Sequence, residues 1–168
     1  MPQSEMTAYL ILDVAGTGFA MRRSSVSEVL PLPRLHPPTL TGTWLAGFLD
    51  LGGTTVPVID LGRLLMLPPM PAREADPYRH LLLSADRGTA ILVDRARDLV
   101  LVAPDAVRAR AAETSLNGCV VGEIVQGEQL TQILGMDRLL DAEERRRVQA
   151  LTEAAAARLS DLARLEDA

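Results

Sequence analysis

Residues 9–135 consist mostly of short apolar runs separated by Gly, Pro and Asp, a pattern that is typical of β-strands. Residues 15–18 and the pair Gly52-Gly53 each join two such runs, and both predict hairpin connections. Pro57 lacks a backbone donor, so it predicts a sheet edge or a bulge within its run. In the first half of the chain the predicted strands cover residues 9–14, 19–21, 26–32, 44–51 and 54–61.

Part of this pattern occurs twice. Residues 47–65 and 122–140 align without a gap over 19 positions, with Gly47 matching Gly122 and Gly52 matching Gly127. Both segments end in Arg-Leu-Leu, and a weaker match joins residues 18–21 to residues 88–91. Neither copy is long enough to bury a stable core by itself, so we predict two related sheets that share one core.

The repeat divides the chain into four parts. We predict a first barrel half at residues 8–66, a Pro-rich linker at 67–77, a second barrel half at 78–140 and a C-terminal helix at 141–168. Asp141, with an acid three residues later, predicts a capped helix start, and no Gly or Pro follows it.

Apolar residues recur in this helix at spacings of three and four, which predicts an amphipathic helix of roughly 25 residues. Two interpretations of its apolar stripe stay open. Either the whole stripe docks on the barrels, or its last part stays available to a partner helix or to a second copy of the chain. Leu159 and Leu162 are the candidate contact residues in the second case.

The composition is that of a folded protein with few aromatic side chains, 48% hydrophobic and 3% aromatic. A net charge of -5 argues against nucleic acid, which requires a basic face and, for single strands, exposed aromatic rings. The single cysteine, Cys119, excludes an internal disulfide and fits a reducing compartment. Without a secretory signal or an apolar run of about 20 residues, we expect a cytoplasmic protein with no direct membrane insertion.

No group of residues predicts a catalytic, cofactor-binding or metal site. His36 and His80 have no Cys, His or carboxylate at ligand spacing, and Cys119 has no base beside it that would activate a thiol. Asp60 and Asp94 each close an apolar strand, where an Asp commonly caps the next turn. We therefore expect no enzyme and no cofactor. The alternative, an enzyme on a small β-barrel, requires a concave site with perturbed titratable groups.

Three motifs together resemble the family of CheW-type coupling proteins of bacterial chemotaxis. Residues 44–61 resemble its strand and Asn-Leu-Arg-Gly turn, followed by an apolar-Pro-Val-apolar-Asp-Leu strand. Residues 26–30 resemble the family's Val-x-Glu-Val element, and residues 92–95 its second-half Val-Asp element. The order and spacing of the motifs agree over about residues 8–140.

The resemblance implies a mainly β fold of two intertwined five-stranded, SH3-like barrels with a hydrophobic seam between them, followed here by the C-terminal amphipathic helix. It also implies a non-catalytic adaptor that couples the cytoplasmic tips of chemoreceptors to the regulatory domain of a CheA-like histidine kinase within receptor arrays. The barrel of that kinase domain has the same fold as the adaptor. The candidate partner-binding residues in the barrels are Val26, Glu28, Gly47, Asp50, Gly52 and Gly53.

Two of these residues depart from the family pattern. Asp50 stands where the family has Asn, and Gly52 stands where it has Arg. In the family, that Arg is associated with partner binding and pairs with the Glu that corresponds to Glu28, so Glu28 receives no guanidinium from position 52. The alternative function within the family is therefore a divergent adaptor that binds receptors but contacts the kinase poorly.

Overall fold

A computed structural model of the protein describes residues 5–39, 43–109 and 118–167. The described residues form eleven strands and three α-helices. The strands are β1 (Thr7–Val14), β2 (Thr17–Arg22), β3 (Val26–Pro31), β4 (Leu45–Leu51), β5 (Thr54–Asp60), β6 (His80–Ser84), β7 (Ala90–Val93), β8 (Arg95–Val102), β9 (Val107–Ala109), β10 (Val120–Gln126) and β11 (Gln129–Leu134). The helices are α1 (Leu61–Leu64), α2 (Pro71–Glu74) and α3 (Ala142–Glu166).

The strands form two mixed sheets, and each sheet takes strands from both halves of the chain. The six-stranded sheet has the order β8-β1-β2-β11-β10-β9, and the five-stranded sheet has the order β3-β6-β7-β5-β4. The hairpin β1–β2 of the first half therefore lies between strands of the second half, while the hairpin β6–β7 lies between strands of the first. This exchange of hairpins confirms the predicted intertwined fold.

The sequence repeat is also a structural repeat. β4 and β5 correspond to β10 and β11, and the pairing register shifts at Gly47 in one copy and at Gly122 in the other. A Cβ atom at Gly47 would lie 2.5 Å from the carbonyl oxygen of His36, and one at Gly122 would lie 2.8 Å from that of Arg108. Both approaches are too close for any side chain, so the two glycines keep the neighbouring backbone in place.

The two copies differ at the outer edge of their sheets. β9 adds a sixth strand beside β10, whereas the equivalent position beside β4 holds only a single bridge between His36 and Phe48. Three prolines, Pro33, Pro37 and Pro38, surround His36. Because proline has no N–H to donate, a continuous strand cannot form there. One sheet therefore has five strands, as expected, and the other has six.

Pro57 lies in an inner strand, between β4 and β7, and not at a sheet edge. The parallel pairing of β5 with β7 begins only at Val58, so the strand is locally unpaired on that side at Pro57. The missing N–H is therefore tolerated.

The Pro-rich linker contains regular structure. One of its prolines, Pro71, begins the short helix α2.

The buried apolar residues form three clusters, one of which joins the two sheets. One cluster lies inside each sheet: Leu81 and Leu83 belong to that of the five-stranded sheet, and Tyr9 belongs to that of the six-stranded sheet. Because the strands that form each of these clusters belong to one sheet, each sheet must curl around its own interior. The third and largest cluster takes residues from both sheets and includes Phe19, Met21, Phe48, Leu82 and Ile91. It is the hydrophobic seam that the resemblance implied.

The C-terminal helix α3 begins with the predicted cap. The Asp141 side chain accepts a hydrogen bond from the Glu144 amide, and the Glu144 side chain accepts one from the Asp141 amide. Val148 and Ala155 are buried where α3 packs on β5, whereas Leu162 is 56% exposed and Leu165 is 72% exposed. The interpretation in which the whole stripe docks is therefore wrong. The last two turns of α3 continue the apolar face beyond the part that is buried.

Truncation after Ala157 tests this division of the helix. We expect the free energy of unfolding to fall by less than about 1 kcal/mol, because the truncation removes two exposed leucines and only the half-buried Leu159. The matched variant Val148→Ala, in the docked part, should lower it by about 2 kcal/mol. Urea denaturation of both variants measures the difference. A truncation as costly as Val148→Ala would mean that the last turns are docked.

Candidate partner-binding site

The candidate residues in the five-stranded sheet lie towards one end of it. β5 and β7 are parallel, so the turn before β7 and the turn before β5 lie at the same end. β3 also begins at this end, because it is antiparallel to β6. Near this end, one row of residues is paired across all five strands of the sheet. The row consists of Glu28, Leu83, Ala90, Val58 and Gly47.

Glu28 has a guanidinium partner, although not from position 52. Arg87, in the turn between β6 and β7, places its Nη1 atom 3.6 Å from Oε2 of Glu28. Both side chains are about half exposed, 52% for Arg87 and 46% for Glu28. The sequence did not indicate this pair, because Glu28 and Arg87 are 59 positions apart and their proximity depends on the register of β3 against β6, for which the sequence carries no signal.

The turn that carries Arg87 is fixed by its own hydrogen bonds. The Asp86 carboxylate accepts bonds from the Ser84 hydroxyl at 2.6 Å and from the Gly88 amide at 2.9 Å. These two bonds lower the pKa of Asp86 below its ordinary value. Arg87 itself has a φ of 61°, in the left-handed region that usually favours glycine. The turn therefore holds Arg87 at the end of the sheet at some cost in backbone strain.

The β4–β5 turn is open to solvent. The Asp50 carboxylate accepts a hydrogen bond from the Gly53 amide at 2.9 Å, so Asp50 closes the turn. Gly52 and Gly53 have φ values of +60° and +93°, and among the described residues none beyond the immediate chain neighbours has a heavy atom within 4 Å of a Cβ built at either glycine. An arginine at position 52 would have room, at the cost of a left-handed backbone conformation.

Two of the sequence candidates are buried. Val26 is 2% exposed and belongs to the central core, and Gly47 lies against the backbone of His36. Neither residue presents a side chain to a partner at the surface, because Val26 is buried and Gly47 has none. Instead they hold β3 and β4 in the positions that carry Glu28 and the β4–β5 turn. On the helix, Leu159 is half-buried and Leu162 is exposed.

A second exposed surface lies on the six-stranded sheet. β8 is an edge strand of that sheet, and its residues Leu99 and Leu101 are 59% and 63% exposed. The sequence did not distinguish these residues, because residues 99–102 are all apolar and the alternation that separates an inner from an outer face is absent. Two exposed leucines on a strand whose outer edge has no neighbouring strand form a surface suited to protein contacts.

Charged side chains gather around the linker, in a groove of about 420 Å³. Arg73 of α2 lies 2.9 Å from the Asp13 carboxylate and 3.4 Å from that of Asp94. Asp94 also accepts a hydrogen bond from the Ala15 amide at 2.7 Å, so it caps the β1–β2 turn, 79 positions away in sequence, where the sequence had suggested a cap on the next turn. These contacts connect the linker to the ends of β1 and β7, and each carboxylate already has a structural partner.

Asp60 lines the same groove and caps α1, where it accepts a hydrogen bond from the Arg63 amide at 3.2 Å. Its burial raises its pKa above the ordinary value, because removal from water disfavours the charged carboxylate. Cys119 is fully buried in the central core, and this burial raises the pKa of its thiol. A buried thiol with a raised pKa is the opposite of an activated nucleophile.

Within residues 5–39, 43–109 and 118–167, no three side chains of His, Cys, Asp or Glu come together as ligands for a metal ion. In the same part of the chain, no helix combines the length and the apolar composition that a membrane crossing requires.

Comparison with known proteins identifies one family and one fold. The sequence model of the CheW-like domain matches residues 8–144. Among solved structures, the chain is similar to the scaffolding protein TtCheW from Thermoanaerobacter tengcongensis, with a TM-score of 0.72 and 14% sequence identity. That match covers 85% of this chain and 93% of TtCheW. No curated protein sequence matches the chain.

The pKa values of Asp60 and Asp86 are shifted in opposite directions, so their Asn variants should change the free energy of unfolding with opposite signs. Asp60→Asn should raise the free energy of unfolding near neutral pH, because it removes a buried charge and keeps an oxygen that caps α1. Because the pKa of Asp60 is raised in the folded state, the folded protein takes up this proton at a higher pH than the unfolded chain does. The advantage of the variant should therefore shrink as the pH falls towards about 4, the ordinary pKa of an Asp.

Asp86→Asn is the opposite-sign control. A lowered pKa stabilises the folded state at neutral pH, and this contribution is lost as the pH falls. The variant should therefore be less stable than wild type near neutral pH, and the deficit should shrink in acid. Urea denaturation at several pH values measures both effects. A destabilised Asp60→Asn at neutral pH would contradict the role that burial has here.

Proposed function

The chain belongs to the CheW-like domain family, and from this we propose that it is a non-catalytic scaffold that couples chemoreceptor tips to a chemotaxis-type histidine kinase. The observation that carries the proposal is the family match over residues 8–144, which covers both sheets and the start of α3. CheW-like proteins are scaffolds, so their chemistry is binding alone. On this proposal the protein is recruited to receptor arrays through its partners.

A coupling protein needs two contact surfaces on one rigid body, and we propose two exposed parts of the structure for them. One is the end of the five-stranded sheet, with the Glu28–Arg87 pair and the open β4–β5 turn. The other is the edge of the six-stranded sheet, with Leu99 and Leu101. The central core joins the two sheets, so a partner bound at one surface has a defined position relative to a partner bound at the other.

Arg87 supports full coupling over the alternative of a receptor-only adaptor. That alternative rests on Gly52, where the family has an arginine beside the Glu that corresponds to Glu28. Here Arg87 brings a guanidinium to Glu28 from the neighbouring turn. We propose that Arg87 substitutes for the family's arginine, so that the acidic and basic pair at this end of the sheet is kept although its arginine has moved.

The exposure of this pair favours a role in binding over a role in folding. An ion pair exposed to solvent contributes only about 0–1 kcal/mol to stability. When a partner covers the pair, both side chains lose their water and their interactions strengthen. Truncation of one member of such a covered pair commonly costs about 2 kcal/mol or more of binding free energy.

Arg87→Gly separates the two roles. Glycine adopts the φ of 61° without strain, so the variant should be as stable as wild type or slightly more stable. Its affinity for at least one partner should fall about tenfold or more, which corresponds to about 1.4 kcal/mol or more. Binding of the full-length protein to a receptor-tip fragment and to a kinase regulatory domain, measured separately by calorimetry, gives the result for each partner.

Addition of Gly52→Arg to the Arg87→Gly variant should restore part of the lost affinity, because it returns a guanidinium to the position where the family has it. Arg87→Lys keeps the charge without the planar fork and should fall between wild type and Arg87→Gly. Unchanged binding in Arg87→Gly would place the pair outside both interfaces. Wild-type protein that binds neither partner would contradict the proposed function itself.

A further inference from the structure

The last turns of α3 carry an apolar face that the described structure covers only in part: Leu159 is half-buried, whereas Leu162 and Leu165 are exposed. We call residues 158–166 the overhang. Val148 and Ala155 are 5% and 3% exposed, but further along the helix Leu162 and Leu165 are 56% and 72% exposed. At 1.5 Å per residue the overhang is about 13 Å long, or two and a half turns.

The overhang continues the face that is buried earlier in the helix. With 100° per residue, Leu162 lies within about 40° of both Val148 and Ala155 around the helix axis, and Leu159 and Leu165 flank it. The polar residues Ser160 and Arg164 lie on the opposite side. The helix therefore presents, beyond the barrels, the same kind of surface that it buries against β5.

Charged residues stand at both ends of this leucine face. Arg158 precedes the three leucines and Glu166 follows them, so the order along the face is basic, apolar, acidic. Within the described parts of the chain, neither Arg158 nor Glu166 takes part in an ion pair. This order is complementary to its own reverse.

We propose that the overhang binds the overhang of a second copy of the chain in an antiparallel pair. With a twofold axis at Leu162, Leu159 of each copy lies at the level of Leu165 of the other, and Arg158 lies at the level of Glu166. The pair joins the leucines and places opposite charges together twice. A parallel pair would instead place Arg158 against Arg158 and Glu166 against Glu166, so charge selects the antiparallel arrangement.

The contact between the two overhangs should be weak, because it is small. Three leucines per copy bury far less than the roughly 1,200 Å² of the smallest stable interfaces. The copies should therefore be monomeric in dilute solution and associate only when concentrated. Partners that hold several copies close together would raise the effective concentration and so the occupancy of the contact.

Sedimentation velocity of the full-length protein over a wide concentration range tests the association, with no receptor or kinase present. Wild-type protein should sediment faster as its concentration rises. Leu162→Asp should abolish this dependence, while the matched control Ser160→Asp, on the opposite side of the helix, should keep it. Both positions are exposed, so circular dichroism should show the same unfolding temperature for the two variants.

Charge reversal tests the antiparallel register. Arg158→Glu alone and Glu166→Arg alone should each weaken self-association, because each places like charges at both ends of the contact. An equal mixture of the two variants should associate again, because each pair in the mixed dimer then joins opposite charges. Arg164→Glu, on the opposite side, is the control and should behave as wild type.

Three results would overturn the proposal: wild-type protein that stays monomeric at every concentration, association that survives Leu162→Asp, or a mixture that associates no better than its components. If Leu162→Asp instead weakens binding to a receptor-tip fragment and leaves the protein monomeric throughout, the overhang contacts the receptor and not a second copy. The three results that overturn the proposal are measured on the chain alone, so they do not depend on the adaptor function.

Discussion

The fold depends on the burial of both faces of its inner strands. In β6, Leu82 points into the central core, while Leu81 and Leu83 point into the interior of their own sheet. A strand with this pattern cannot face water on either side, so a single sheet of this kind would expose a wide apolar face. The second sheet covers that face. The two sheets therefore stabilise each other. Because the hairpins are exchanged, neither sheet is complete without strands from both halves of the chain.

This constraint gives the molecule the rigidity that a scaffold requires. The end of the five-stranded sheet and the edge of the six-stranded sheet belong to different sheets, and the central core fixes their relative position. Association costs less when the binding surfaces are already in place. The linker supports this arrangement, since Arg73 of α2 connects it to Asp13 at the end of β1 and to Asp94 after β7. On the proposed function, the contact residues can then depart from the family pattern, as at Gly52 and Arg87, while the core stays the same.

The sequence predicted the features that depend on local chemistry or on the repeat. The matching glycines Gly47 and Gly122 helped to reveal the duplication. Both positions require glycine, because a neighbouring backbone lies too close for a side chain. The capping pattern that begins at Asp141 predicted the start of helix α3. The Glu28–Arg87 pair depends instead on strand register over a long separation, and no local pattern encodes it. For the same reason, the sequence predicted the apolar stripe of α3 but not the point where the barrels cease to cover it.

Native-state hydrogen exchange of the full chain tests the shared core most directly. If the two sheets form one cooperative unit, the most protected amides of β2 and β7, one from each sheet, should exchange through the same global opening. Their opening free energies should then agree within about 1 kcal/mol and fall with the same slope as denaturant is added. A group of amides in one sheet that opens at a clearly lower free energy and with a smaller slope would show that this sheet unfolds by itself, which would contradict the account.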